Sequence, residues 1–68
     1  MTKQELTRNI ESRVGNSFPS LSDIARYLGV GRDSARELVK GLDYFNAGRA
    51  KKYYAGDVAD RIMKQRGM

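Results

Sequence analysis

The chain has 68 residues, enough for one small domain, and it contains no cysteine and no histidine. The missing residue types exclude disulfides, thiol nucleophiles and structural zinc sites and remove the commonest general base, so we expect no enzyme, no metal and no cofactor. Thirteen basic residues against eight acidic ones give a net charge of +5, which favours a polyanionic partner, nucleic acid before an anionic membrane.

The positive charge is concentrated in the second half of the chain. Residues 1–30 carry four basic and three acidic groups, and residues 31–68 carry nine and five. No apolar run approaches the roughly 18 residues that span a bilayer, and the first ten residues lack the apolar core of a signal peptide. We therefore expect a cytoplasmic protein without a membrane partner. For the positive charge, the alternative to a polyanionic partner is a basic surface that serves only solubility.

The first predicted element is a helix within residues 1–15. Thr2 and Glu5 have the spacing of a capping box, and three apolar residues then recur every four positions: Leu6, Ile10 and Val14. Gly15 suits a helix C-terminus, and Pro19 forbids continuation. Phe18, between them, is predicted to lie in the core.

Two short helices are predicted within residues 20–41. Ser20 and Asp23 form a second capping-box spacing, and the inner face of that helix is predicted to consist of Leu21, Ile24, Ala25 and Leu28. The next helix spans Arg32–Lys40 and ends at Gly41. The turn between the two helices is too tight for an antiparallel pair, so they should cross as a helix-turn-helix. In this turn Gly29 should have positive φ, and Val30 should fill the angle between the helices.

Residues 42–55 change from helical to strand-like periodicity. This aromatic-rich segment predicts two short strands joined by a tight turn at Asn46-Ala47-Gly48. Two registers fit equally well, one pairing Tyr44 with Lys51 and one pairing Phe45 with Tyr53. A last helix over 57–66 should begin near Asp57 and face inward with Val58, Ala59 and Ile62, Met63 being a further candidate. The sequence therefore predicts a single domain over residues 1–68. The domain should be mainly α (α+β minor), with its elements in the order helix, helix, helix, hairpin, helix.

The segment "SLSDIARYLGVGRDSARELVKGLDYFNAGRAKKYYAGDVADRI" resembles the small winged helix-turn-helix DNA-binding proteins of the excisionase and MerR-like group. The resemblance covers about residues 20–62 and depends on Ala25, Leu28-Gly29-Val30, Gly41-Leu42, Gly48-Arg49, Tyr53-Tyr54 and Asp57-Val58. It implies a winged helix-turn-helix that binds double-stranded DNA in sequence-specific fashion. The implied role is that of a recombination directionality factor or small transcriptional regulator of a phage or mobile element.

If Ala35, Leu38 and Val39 face the core, the polar residues of the third helix point outward: Arg32, Asp33, Ser34, Arg36, Glu37 and Lys40. Such a helix fits the major groove, where Arg32 and Arg36, one turn apart, could each grip a guanine. Ser34 could contact a base or a phosphate, and Lys40 should meet the backbone. Asp33 could accept a hydrogen bond from cytosine. The favoured alternative is that Asp33 stabilises the helix start and holds Arg36.

Glu37 should orient a neighbouring cation rather than read a base, because phosphates repel a carboxylate. In the hairpin, Arg49, Lys51 and Lys52 should surround the tip and form the wing, which contacts backbone or the minor groove. One module makes few contacts, so a homodimer or cooperative copies on adjacent sites are expected, and an integrase or another protein is a possible partner.

Other interpretations stay open. The outward face of the third helix could be an ordinary solvated surface. The aromatic residues of the hairpin could stack on single-stranded nucleic acid, although at least two of them should be needed in the core: Tyr44, Phe45, Tyr53 and Tyr54. The main functional alternative is a degenerate winged-helix module that docks on a larger recombination or packaging complex. Membrane-surface binding by the last helix is disfavoured, since that helix lacks a bulky apolar face.

Overall fold

The structure, a computed structural model, describes residues 2–66, apart from the side chain of Arg66. In chain order the elements are α1 (Lys3–Val14), α2 (Leu21–Leu28), α3 (Arg32–Leu38), β1 (Tyr44–Ala47), β2 (Ala50–Tyr53) and α4 (Ala55–Arg66). The described part of the chain is therefore mostly helical, with one antiparallel pair of strands. This confirms the predicted element order and the predicted dominance of helix.

The start of α1 is stabilised by the predicted capping box. The Glu5 amide donates to Thr2 Oγ1 at 3.1 Å, and the Thr2 amide donates to Glu5 Oε1 at 2.9 Å. The hydrogen bond from the Thr2 amide stabilises the carboxylate and lowers the pKa of Glu5 below its usual value. Gly15, with φ +98°, ends the helix as predicted, because only glycine adopts this backbone conformation without strain.

The second capping box is also present. The Asp23 amide donates to Ser20 Oγ at 3.2 Å, and the Ser20 amide donates to Asp23 Oδ2 at 3.0 Å. The helix ends at Gly29, whose φ of +70° matches the expected left-handed conformation. Val30 is 42% exposed, so the prediction that it fills the angle between α2 and α3 is wrong.

Helix α3 is two residues shorter than predicted. It ends at Leu38, and the amides of Lys40 and Leu42 then bond to carbonyls three residues back, those of Glu37 and Val39. These tighter bonds carry the chain through a turn to Gly41, which has φ +87°. Gly41 therefore terminates the turn that follows the helix rather than the helix itself.

The hairpin adopts neither of the two predicted registers. Tyr44 lies opposite Tyr53, and Phe45 lies opposite Lys52. The connection is the two-residue loop Gly48-Arg49, in which Gly48 has φ +64° and no non-glycine residue has positive φ. This combination of signs is that of a type II′ turn, whose twist matches the twist of the flanking strands. The predicted tip, Asn46-Ala47-Gly48, therefore begins two residues too early.

The connection between α1 and α2 runs along the outer edge of β2. The Tyr53 amide donates to the Pro19 carbonyl at 2.9 Å, the Ala55 amide donates to the Ser17 carbonyl at 2.9 Å, and Ser20 bridges to Lys52. These bonds cover much of an edge that would otherwise leave backbone groups unpaired. They also fix the hairpin relative to the start of α2.

Helix α4 begins at Ala55, two residues before the predicted start, because the amides of Asp57 and Val58 bond to the Tyr54 carbonyl at 3.0 and 3.1 Å. Asp57 lies in its first turn, where a negative charge is favourable. The helix packs against α1, and Val58 and Ala59 are buried as predicted. Ile62 and Met63 are partly buried against the same core.

The core contains residues of all four helices and of β2: Leu6, Ile10, Ile24, Ala25, Ala35, Leu38, Val39, Tyr53, Ala55, Val58 and Ala59. Several of these are alanines, which let the short helices approach closely. Phe18 is not among them: it is 44% exposed, while the neighbouring Pro19 is fully buried. The predicted core position of Phe18 is therefore wrong, because the bond from Tyr53 to the Pro19 carbonyl turns the proline inward.

Tyr27, on α2, is half-buried, and its hydroxyl donates to Asn9 Oδ1 on α1. It therefore ties the first two helices together. Within residues 2–66, none of the helices combines the length and the apolar content that crossing a bilayer demands.

Candidate nucleic-acid interface

The outward face of α3 contains the predicted polar residues. Ala35, Leu38 and Val39 are buried, whereas six residues are exposed: Arg32, Asp33, Ser34, Arg36, Glu37 and Lys40. The division between the two faces follows the helical period. All six candidate residues are thus available to a ligand: five lie on α3, and Lys40 lies in the turn that follows it.

Arg32 connects the start of α3 to α2 and lies beside the hairpin. Its Nη2 donates to Ser22 Oγ at 2.9 Å. Arg32 also lines a shallow groove together with Arg49 and Lys51 of the hairpin. Three cations from two separate elements therefore border one concave surface, although Arg32 and Lys51 are 19 positions apart in the chain.

Arg36 pairs with Asp33, as the favoured alternative for Asp33 predicted. Arg36 Nη1 lies 3.0 Å from Asp33 Oδ1, and both side chains are largely exposed. An exposed pair of this kind contributes little stability, about 0.3–0.5 kcal/mol on a helix, so a ligand can replace it at small cost. The pair nevertheless orients the guanidinium on the outward face.

A second groove lies between the last turn of α3 and β1. Arg36, Glu37 and Lys40 line it on the helix side, and Tyr44 and Tyr53 line it on the hairpin side. The two grooves flank the same face of the hairpin.

We call the surface formed by Arg32, Arg36, Lys40, Arg49 and Lys51 the cationic face. It includes the carboxylates of Asp33 and Glu37, so its local charge is +3.

The side chains of the hairpin alternate between two faces because successive residues of a strand point in opposite directions. Tyr44 and Tyr53 share one face with Lys51: the two rings have centroids 5.8 Å apart, and Lys51 Nζ lies 4.9 Å from the Tyr44 ring centroid. This side of the hairpin is part of the cationic face. A cation–π contact of this kind limits the positions that the ammonium group samples.

Lys52 points the other way. It pairs with Phe45 across the hairpin and lines a separate depression with Asp43, Tyr54 and Asp57. The three predicted wing cations therefore do not share one face of the hairpin, and the assignment of Lys52 to DNA binding stays a prediction. The reason is the register: a lysine directly after Lys51 in a strand must lie on the opposite face.

Arg61 of α4 is a residue that the sequence did not single out. Its Nη1 donates to the Leu38 carbonyl at 2.9 Å and to the Lys40 carbonyl at 2.8 Å. The last carbonyls of a helix lack partners within the helix, so Arg61 satisfies these groups and holds the end of α3 against α4. We call this arrangement the Arg61 clasp. It positions the cationic face without belonging to it.

Of the four hairpin aromatics, only Tyr53 is buried, so the prediction that at least two fill the core is wrong. Phe45 and Tyr54 instead pack on Phe18: the centroid distances are 5.4 Å for Phe18 and Phe45 and 5.9 Å for Phe18 and Tyr54. We call these three residues the aromatic cluster. It lies on the side of the hairpin opposite to Lys51.

Within residues 2–66, no three side chains of the metal-ligating types come together as a candidate cation site. Comparison with known proteins finds no match to a protein-family model, to a curated protein or to a solved structure.

Proposed function

We propose that this chain is a winged helix-turn-helix protein that binds double-stranded DNA and has no enzymatic activity. In this proposal α3 enters the major groove, and the hairpin, acting as the wing, lies on the sugar–phosphate backbone or in the minor groove. The observation that supports it most strongly is the cationic face. Arg32 of α3 borders one groove with Arg49 and Lys51 of the hairpin, and Arg36 and Lys40 border a second groove with Tyr44 and Tyr53.

The arrangement of α3 suits readout of base edges. Arg32 and Arg36 are four residues apart, about one helical turn and about 6 Å along the axis, so both can approach one groove. A bidentate contact from either to guanine would contribute about 1–3 kcal/mol of discrimination. Arg36 would exchange its exposed bond to Asp33 for such a contact.

The hairpin suits a positioning role. Arg49 lies in the loop at its tip, and Lys51 lies on the face that continues from α3. Both cations would contact phosphates, which fix orientation without reading sequence. Tyr44 is the exposed aromatic ring on this face, whereas single-stranded nucleic acid is held by several successive stacking platforms. A duplex therefore fits the cationic face better than a single strand.

The resemblance to excisionase and MerR-like proteins extends the proposal to biological role. By that resemblance the chain directs recombination or regulates transcription in a phage or mobile element, in the cytoplasm. Cooperative copies on adjacent sites would supply the contacts that one module lacks, and an integrase is a candidate partner.

Lys51 and Lys52 provide a matched pair for testing the proposal, because they are adjacent cations on opposite faces of β2. Each is changed to glutamine, and binding to a labelled duplex is followed by fluorescence anisotropy over a salt series. Each phosphate contact contributes about 0.9 to the slope of log K against log[salt]. We expect Lys51→Gln to lower the slope by about 0.9 and Lys52→Gln to leave it unchanged.

A flat salt response of the wild-type protein would contradict the proposal, and equal effects of the two substitutions would contradict the assignment of the face. Selection of bound duplexes from a random pool would identify the target sequence. No enrichment would favour the alternative of a protein-interaction module. That alternative has one observation in its favour, the exposed aromatic cluster, and predicts that Arg32→Ala and Arg36→Ala leave activity intact.

A further inference from the structure

The aromatic cluster is an apolar surface that the proposed DNA contact does not use. Phe18, Phe45 and Tyr54 are each close to half exposed, and the ring of Phe18 packs on both of the others. They lie on the hairpin face opposite to Lys51. Aromatic rings supply much of the contact area at protein interfaces, so a cluster of three on a chain of this size marks a docking surface.

Charges at the border of the cluster disfavour nucleic acid as its occupant. Asp43, Asp57 and Lys52 line the same depression as the three rings, so the local charge there is −1 although the whole chain carries +5. Phosphates would meet two carboxylates. Within residues 2–66 no ion pair joins Lys52 to either carboxylate, so all three charges are available to a partner.

We propose that the aromatic cluster is the contact surface for a second copy of this chain. In a two-fold symmetric pair the same patch of each copy meets its counterpart, so the patch must be self-complementary. The rings supply apolar area on both sides of the axis. Lys52 of one copy would lie opposite Asp43 or Asp57 of the other, and the symmetry repeats that pairing. The cationic face of each copy remains uncovered.

The area available indicates a weak, reversible dimer. Three half-exposed aromatic side chains offer about 300 Å² per copy, or about 600 Å² in total. Stable interfaces bury about 1,200–2,000 Å². We therefore expect a dissociation constant of about 100 µM to 1 mM in the absence of DNA.

Two adjacent residues of β1 provide a matched test. Phe45 and Tyr44 are 49% and 50% exposed, and their side chains point to opposite faces of the hairpin. Tyr44 also borders the depression around the cluster, but its ring packs on Tyr53 and beneath Lys51 on the other face. Sedimentation equilibrium of the full chain, from about 20 µM to 1 mM and without DNA, measures self-association on the scale expected for an interface of this size. We expect the wild-type protein and Tyr44→Ser to associate alike, and Phe45→Ser to associate about 10-fold more weakly, which corresponds to the loss of one aromatic anchor.

A charge exchange tests the symmetry and does not depend on the stability of Phe45→Ser. Lys52→Glu and the double variant Asp43→Lys/Asp57→Lys should each associate less than the wild-type protein, because like charges then face each other. An equimolar mixture of the two should restore association. Circular dichroism verifies that each variant is folded.

Three results would overturn the proposal: a wild-type protein that is monomeric at all concentrations, equal effects of Phe45→Ser and Tyr44→Ser, or a mixture that associates no better than its components. Binding of oligo-dT that is lost in Phe45→Ser, without self-association, would also overturn it and assign the cluster to stacking. Because the association is measured without DNA, these outcomes are separate from failure of the proposed DNA binding.

Discussion

The Arg61 clasp can be removed without removing the packing of the side chain that makes it. Arg61 Nη1 donates to the carbonyls of Leu38 and Lys40 at 2.9 and 2.8 Å. Arg61→Met retains an aliphatic stem of similar length but has no donors. The substitution leaves these carbonyls to water and removes a positive charge from the negative end of the α3 dipole.

The expected loss follows from the exposure of the groups. A hydrogen bond from a charged donor contributes about 1.5–3 kcal/mol when it is well shielded. Arg61 is only half-buried, and its bond to the Lys40 carbonyl is exposed, so water replaces part of the interaction. We expect the free energy of unfolding to fall by about 1–2 kcal/mol, or a Tm lower by roughly 5–15 °C in a domain of this size. Arg61→Lys, which keeps the charge but has one compact donor group, should recover part of the loss.

Thermal unfolding followed by circular dichroism measures this change, and Lys64→Met is the matched control. Lys64 lies one turn further along α4 and makes an exposed ion pair with Asp60 at 3.3 Å, which should contribute less than about 0.5 kcal/mol. Amide exchange near the end of α3, at residues 38–42, should be faster in Arg61→Met than in the control. Equal stability of Arg61→Met and Lys64→Met, with unchanged exchange at residues 38–42, would refute the positioning role.

Three further predictions concern the core and the first helix. Ala35→Leu should lower the free energy of unfolding by about 1–3 kcal/mol in a denaturant titration, because Ala35 is fully buried, and an unchanged midpoint would contradict this packing. Tyr27→Phe should cost about 0.5–1.5 kcal/mol in the same titration through loss of the bond to Asn9, and an unchanged midpoint would mean that the bond contributes nothing. Because the folded state lowers the pKa of Glu5, its contribution is present above the unfolded pKa and is lost as pH falls through the folded pKa. Glu5→Gln should therefore flatten the acid side of the stability profile, and an unchanged acid profile in thermal melts would contradict the assignment.

The sequence was most informative where a structure is determined by residues close together in the chain. Both capping boxes were predictable, because the hydroxyl of Thr2 or Ser20 and the carboxylate of Glu5 or Asp23 are three residues apart. The outward residues of α3 followed from the helical period. Both features depend on local backbone geometry alone.

The wrong predictions concern features that depend on contacts between segments far apart in the chain. The face of the hairpin on which Lys52 lies depends on the strand register, and a shift of one residue reverses that face. In the sequence, the loop Gly48-Arg49 was the signal for this register. Phe18 lies at the surface instead of in the core, and Pro19 is buried, because the connection before α2 bonds to β2. The Arg61 clasp joins residues 21 and 23 positions apart, and no local pattern signals it.

The central claim is that α3 and one face of the hairpin together form a single surface for duplex DNA. Nuclear magnetic resonance of the labelled protein, titrated with a duplex at low salt, tests it most directly. We predict that the amide shift changes concentrate at residues 32–36 and 48–51 and spare Phe18 and Tyr54. Changes confined to the aromatic cluster or to α1, or the absence of any changes, would contradict the claim.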